Sequence, residues 1–325
     1  MRLLSLLLLT TVLNAAEWKL ISVARIWDQP KHAAFGDLIR WNDRWFAVFR
    51  EGQGHAPTKG KTDDGKLRVL SSNDGDKWQS EALLEEQGVD LRDPHLSITK
   101  DKRLMIVAGG SYYPNGEFKT RQSRVLFSKD GRNWTKPKPV VEDGHWLWRV
   151  TWNDGVAYGV SKYGEPRQVR LVKSTDGLKW ETITQLQVPG GDETALRFLP
   201  DGTMVALSRR TADDGNKAWV GTSRPPYKDW NWHTSGHFIG GPNIAVLPTG
   251  LLVAGGRLFE GGDPAKRHTE IGELTSNGFT PKLRLPSGGD SSYPGFVWHE
   301  DKLWTLYYSS HEGKTSIYLA KIRIE

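Results

Sequence analysis

One seven-residue phrase occurs three times in this chain: SNDGDKW at 72–78, SKDGRNW at 128–134 and STDGLKW at 174–180. Each copy follows a short alternating apolar run (LRVL, RVLF, VRLV), so each reads as a hairpin turn with a Trp on the returning strand. The residue types suit that task. An Asp carboxylate accepts hydrogen bonds from the N–H groups of its own turn, Gly supplies a positive φ, and Trp offers a wide face to a neighbouring unit. The copies start 56 and 46 residues apart, the spacing of one propeller blade and not of unrelated surface turns.

The remaining sequence fits the same plan. There is no long run of period 3.6, only short segments rich in Val, Ile, Trp, Tyr and Phe between Gly, Asp and Pro, which predicts an all-β chain. Residues 17–325 are expected to form a single six-bladed β-propeller. Blades one to three cover about 35–84, 92–140 and 146–186. Blade four, 193–235, has a decayed turn at 223–230, and blade five, 242–285, a remnant at 276–279. Blade six, from 293 onward, has three strands, and the lone strand at 17–27 (EWKLISVARIW) is expected to supply the fourth. Closing the ring in this way removes exposed sheet edges.

Residues 1–16 have the form of a secretory leader: Arg2, an apolar stretch, then Asn14-Ala15-Ala16. Its removal predicts a secreted or periplasmic protein without a membrane anchor, and a chain with no Cys has no disulfide. The formal charge of +6 falls to +5 without Arg2. That excess suits an anionic ligand but is too small, and too scattered, to imply nucleic acid. A monomer is expected, with no cofactor and no metal; His233 and His237 would suit a metal only on a helix, and NWHTSGH does not read as one.

Propeller topology groups residues before any activity is considered. The start of each first strand and the end of each second strand reach the same mouth of the central channel. The first-strand starts offer Asp37, Arg92 with Asp93, Arg149, Glu193, Asn243 and Tyr293. The second-strand ends offer Arg50 with Glu51, Tyr112, Tyr163, Arg209 with Arg210, Arg257, and Ser310 with His311. Arginines that share a channel repel one another unless carboxylates or an anion balance them, and their forks suit a carboxylate. Glu193 and Tyr293 suggest a nucleophile pair, since a phenol of ordinary acidity, with a pKa of about 10, needs a base to attack at neutral pH.

The three Ser-x-Asp-Gly-x-x-Trp turns resemble the Asp-box repeats of the sialidase (neuraminidase) superfamily, and the resemblance extends over the whole of residues 17–325. It implies an exo-acting glycosidase with an arginine triad for a sugar carboxylate, a Tyr nucleophile assisted by a Glu, and an Asp acid/base. By position Tyr293 is similar to the nucleophile, Glu193 to its base, and Arg209 and Arg257 to two of the triad. The chain departs from the family in two places. Where the first triad Arg belongs, the sequence reads Ala34-Phe35-Gly36-Asp37, leaving Arg50 or Arg92 to reach that region. Where the acid/base Asp belongs, the loop offers Glu51, His55, Asp63 and Asp64; Asp63 and Asp64 read as a turn, so Asp37, Glu51 or His55 is the expected acid. Arg149 and His311 are further expected sugar contacts, with Asp93. The expected partner is a glycan ending in an acidic sugar. The alternatives are a glycosidase for another ulosonic, uronic or neutral sugar, the last cleaved by two carboxylates, and a non-catalytic carbohydrate-binding propeller.

Overall fold

The computed structural model describes residues 16–57, 65–212, 215–275 and 277–325. All but the last residue of the expected leader lies outside them, as do Asp63, Asp64 and Ser276. Among the described residues the chain forms 24 strands in six four-stranded antiparallel sheets arranged as a β-propeller. The innermost strands are His32–Trp41, Asp90–Ile98, Trp146–Asn153, Gly191–Phe198, Gly240–Val246 and Ser292–His299. Blade six is completed by the N-terminal strand Trp18–Trp27, which lies antiparallel to Ser316–Ile324 with Trp18 opposite Ile324. The expected ring closure is present.

Inner strands are covered on both faces, so most of their side chains are buried, the charged ones included. In the second strand of blade one, Trp45, Ala47 and Phe49 join one core cluster, while Phe46 and Val48 join the next. Trp45 stacks on Trp304 of blade six with ring centroids 4.3 Å apart. Alternate side chains therefore serve the two flanking blades.

The repeated turns are built alike. In the first, the Asp74 carboxylate accepts from the N–H groups of Asp76 and Lys77, both at 2.9 Å, the Ser72 hydroxyl accepts from Gly75 N–H at 2.8 Å, and the Trp78 indole donates to the Gly75 carbonyl at 3.0 Å. These bonds hold the exposed Asp74 at a pKa of about 2. The indole is thus tied to its own turn while packing against the core cluster that also holds Trp304 of blade six, and the Gly approaches that same Trp closely. A Cβ on Gly75 would lie 2.3 Å from Trp304, and one on Gly131 2.2 Å from Phe46. In blade four the Trp230 indole donates to the Tyr227 carbonyl at 3.1 Å, and Tyr227 takes the left-handed φ of 64° that Gly takes elsewhere.

Every inner strand also carries a bulge at the same height. Two residues oppose one of the partner strand at Phe35-Gly36, Asp93-Pro94, Trp148-Arg149, Asp192-Glu193, Gly241-Pro242 and Tyr293-Pro294. A bulge re-aims a side chain and leaves one N–H out of the ladder, so a Pro at its second position sacrifices nothing. Phe35, Asp93, Gly241 and Tyr293 have φ of 60°, 50°, 60° and 53°.

Below the bulges a chain of hydrogen bonds links all six blades. The Asp37 carboxylate accepts from Leu96 N–H at 3.0 Å and from Arg149 at 3.1 Å; Arg149 and Asn243 donate to the Pro294 carbonyl at 3.4 and 2.9 Å, and Arg197 donates to Asn243 at 3.0 Å. Burial alone would raise the Asp37 pKa, but the Arg149 charge and the His95 and Leu96 contacts bring it down to about 2.

Candidate active site

Four bulges deliver one cluster. The Tyr293 hydroxyl donates to Glu193 Oε1 at 2.6 Å, and Glu193 Oε2 accepts from Arg209 at 2.9 Å and from Gly241 N–H at 2.8 Å. The Asp93 Oδ2 lies 3.4 Å from the same hydroxyl. A Cβ on Gly241 would fall 1.9 Å from Tyr293 Cδ1, so only Gly allows the ring to lie flat against that backbone. Phe35 and Tyr308 flank the ring, with centroids at 5.3 and 5.8 Å.

Electrostatics separate the three acids. Burial, together with Asp93 and Glu193, pushes the Tyr293 hydroxyl well above its usual range. Burial also works against ionised Glu193, but the charges of Arg209 and Lys162 and the Tyr293 hydroxyl hold it well below the usual carboxylate range. For Asp93 burial prevails over Arg92, with Glu193 adding to it, and its pKa rises. The two carboxylates are therefore driven in opposite directions, Glu193 toward its ionised form and Asp93 toward its protonated one.

These groups line a cleft of about 360 Å³, within the ~300–1,000 Å³ of small-molecule sites. Of the expected residues the cleft gathers Tyr293, Glu193, Asp93, Arg92, Arg209, Arg257 and His55. The others lie elsewhere. Asp37 and Arg149 pair with each other in the chain of bonds beneath the cleft. Arg50, fully buried, donates to Asp90 at 2.7 Å, so it stands behind the cleft and not in the place of a missing triad Arg. Glu51 turns outward to the Trp27 indole at 2.8 Å and Arg68 at 3.0 Å. His311 bonds Ser309 at 2.9 Å and packs on Tyr318. The expectation that these five line the mouth is corrected by strand alternation and, for Asp37, by depth.

His55 presents a different arrangement. Its Nδ1 contacts Asp290 Oδ2 at 2.8 Å, and His32 Nε2 contacts the same oxygen at 2.9 Å. The ligand atoms of this trio lie within 4.8 Å of one another, which would admit a metal ion. Arg257, 3.3 Å from the other oxygen of Asp290, places a fixed cation there, and the trio reads as a hydrogen-bonded relay. Arg257 also donates to the Ser291 carbonyl and the Tyr308 hydroxyl at 2.8 and 2.9 Å.

The cleft contains residues that sequence reasoning missed: Arg121, Trp146, Lys162, Arg167 and Asp192. Lys162 and Arg167 both pair with buried Asp192. Third strands also begin at the mouth, which was the available signal for Arg121, and a bulge turns Asp192 and Glu193 inward together. A second concavity of about 430 Å³ lies between the loops of blades four and five. Its described lining contains no carboxylate, and the chemistry belongs to the first.

No family model matches the sequence, and no characterised relative is detectably similar to it. Solved structures are. A Dyadobacter fermentans protein of unknown function superposes with a TM-score of 0.81 at 20% identity, over 95% of this chain and 99% of that one. Trypanosoma rangeli sialidase in complex with the inhibitor DANA gives 0.68 at 14% identity, over 94% of this chain and 59% of that one. The Penicillium chrysogenum α-L-arabinanase complexed with arabinobiose gives 0.69 at 13%, over 93% and 98%. These likenesses show the fold.

Proposed function

We propose that this chain is a secreted or periplasmic glycoside hydrolase that releases a terminal acidic sugar, sialic acid or a related one, with retention. The observation that carries this reading is the Tyr293 hydroxyl donating to Glu193 at 2.6 Å on the floor of a cationic cleft. The fold shared with a sialidase and an arabinanase supports it. Tyr293 attacks the anomeric carbon while its proton passes to Glu193, and the leaving oxygen takes a proton from His55. With Nδ1 held by Asp290, Nε2 is the nitrogen left for that transfer. Water then cleaves the tyrosyl glycoside as His55 takes the water's proton and Glu193 returns its own to Tyr293. In the free protein Arg209 suppresses the basicity of Glu193. A sugar carboxylate that draws on Arg209 and Arg257 relieves that suppression, so an acidic substrate prepares its own base.

The test is a screen of fluorogenic sialosides, other ulosonosides and uronides with the wild type, Tyr293→Phe and Glu193→Gln. Turnover of one class is expected, with kcat lower by about 10³-fold or more in Tyr293→Phe and roughly 10²-fold or more in Glu193→Gln. Full activity of Tyr293→Phe defeats the assignment. The opposed pKa shifts of Asp93 and Glu193 favour a second reading, in which Asp93 is the acid and Glu193 the second carboxylate of a glycosidase for a neutral sugar. Activity on arabinosides that survives Tyr293→Phe and is abolished by Asp93→Asn selects it. Saturable binding without turnover on every glycoside leaves a carbohydrate-binding propeller.

A further inference from the structure

The cleft is lined by six cations, Arg92, Arg121, Lys162, Arg167, Arg209 and Arg257, against three carboxylates. Five of the six have a carboxylate in reach. Arg92 stands 3.7 Å from Asp93 and 3.7 Å from Asp90, Arg209 pairs with Glu193, Arg257 with Asp290, and Lys162 and Arg167 share Asp192. Among the described residues Arg121 has no carboxylate within 4 Å, and Asp192 and Glu165 act on its charge only from further away. Its guanidinium lies over the rings of Phe118 and Trp146, 5.1 and 5.8 Å from their centroids. Burial lowers its pKa, the sign of a charge taken from water without full compensation.

Two further groups point to a ligand at this place. Ser111 lies directly opposite Arg121 across the second and third strands of blade two, so the two side chains share a face. The Ser111 Oγ and the Trp146 Nε1 are buried polar atoms of the cleft wall with no hydrogen-bond partner. The Arg121 guanidinium, the Ser111 hydroxyl and the Trp146 indole N–H thus share one stretch of the cleft wall, and all three can donate to a ligand oxygen. Unpaired buried donors of this kind are rare unless a ligand takes them.

The position relative to the chemistry follows from the contacts. Asp93 is at 3.4 Å from the Tyr293 hydroxyl, Arg92 beside Asp93 donates to the Tyr113 hydroxyl at 3.2 Å, and Tyr113 packs edge-on against Phe118 at 5.6 Å. Phe118, half exposed, stands next to Arg121. This path leads from the nucleophile outward across blade two, and its exposed aromatic face suits a second sugar ring.

We propose that Arg121, Ser111 and Trp146 form a second oxyanion subsite, filled by a carboxylate or sulfate on the sugar next to the one released. The substrate is then a polyanionic glycan. The inference rests on the glycoside reading, and its test is therefore made by binding. Calorimetric titrations compare three disaccharides with a terminal uronate: one with a neutral second sugar, one with a uronate there, and one with a 6-sulfated sugar. The wild type is expected to bind at least one of the dianionic pair about 10-fold more tightly than the monoanionic one, the effect of one or two charge-assisted hydrogen bonds. The tighter of the two identifies the anion. Arg121→Gln is expected to erase that preference while changing the monoanionic affinity less than about 2-fold, and Ser111→Ala to reduce it in part. No preference in the wild type, or an equal loss on all three ligands in Arg121→Gln, overturns the subsite, as does the absence of any binding. Failure of the glycosidase reading appears separately, as binding with the expected preference and no turnover of any glycoside.

Discussion

Tyr293 holds a backbone conformation that few bulky residues adopt. A φ near 53° costs about 1–2 kcal/mol for a residue with a Cβ. The bulge aims its ring across the cleft floor, and Gly241 is what allows it to rest there. Gly241→Ala is therefore expected to displace the ring from Glu193 and lower kcat by roughly 10²-fold, the effect of about 1 Å of misplacement. Steady-state kinetics with a circular dichroism spectrum would check this; an active, folded variant would show that the close approach does not matter. The structure brings the bulge residues Tyr293, Glu193 and Asp93 into one cleft, whereas Arg149, also at a bulge, pairs with Asp37 beneath it. Tyr293, Glu193 and Asp93 were legible as strand starts; the bulges that aim them were not read from the sequence. Arg50 and Glu51 were not legible: as neighbours on one strand they face opposite ways, one buried on Asp90 and the other out on Arg68.

The turns are the elements that set blade spacing. Asp74, Asp130 and Asp176 all have pKa values below the ordinary carboxylate range; in Asp74 and Asp130 the turn's own hydrogen bonds lead, and in Asp176 they overcome a burial effect of opposite sign. A carboxylate with a depressed folded pKa binds fewer protons than in the unfolded chain. Its contribution is complete above the unfolded value of about 4 and is lost as pH falls through the folded one. Asp130→Ala is expected to lower the melting temperature by roughly 2–4 °C at neutral pH, and by less near pH 2. Calorimetry at both pH values decides, and a deficit independent of pH would assign the loss to something other than the carboxylate. Three turns were legible because Ser, Asp, Gly and Trp each have a fixed task. The blade-four turn was blurred because Tyr227 does the work of Gly, with its hydroxyl on the Gly202 carbonyl at 3.1 Å.

At the scale of the molecule the six blades meet in the bonds around Asp37, Arg149, Arg197, Asn243 and Pro294. Arg149 is the member that neutralises Asp37 and steadies the carbonyl next to Tyr293. Removing one partner of a buried pair leaves an uncompensated charge, so Arg149→Met is expected to destabilise the fold by about 3–5 kcal/mol. Urea unfolding measures this, and a loss below about 1 kcal/mol would mean that His95 and Leu96 suffice for Asp37. Blade number, blade boundaries and ring closure were legible because a repeat is a periodic signal. The full lining of the cleft was not, because the convergence of Arg121, Lys162, Arg167 and Asp192 requires the exact roll of each strand.

The pairing of Trp18–Trp27 with Ser316–Ile324 has a consequence in time. During synthesis the first strand emerges long before its partner exists, and it waits unpaired while five blades are made. The ring has no closed form until Ser316–Ile324 has been made. A ribosome stalled at residue 300 would carry an open five-bladed arc with a sticky edge at each end, so the interval between the two halves of blade six is the period in which this chain is most exposed to pairing with another copy of itself.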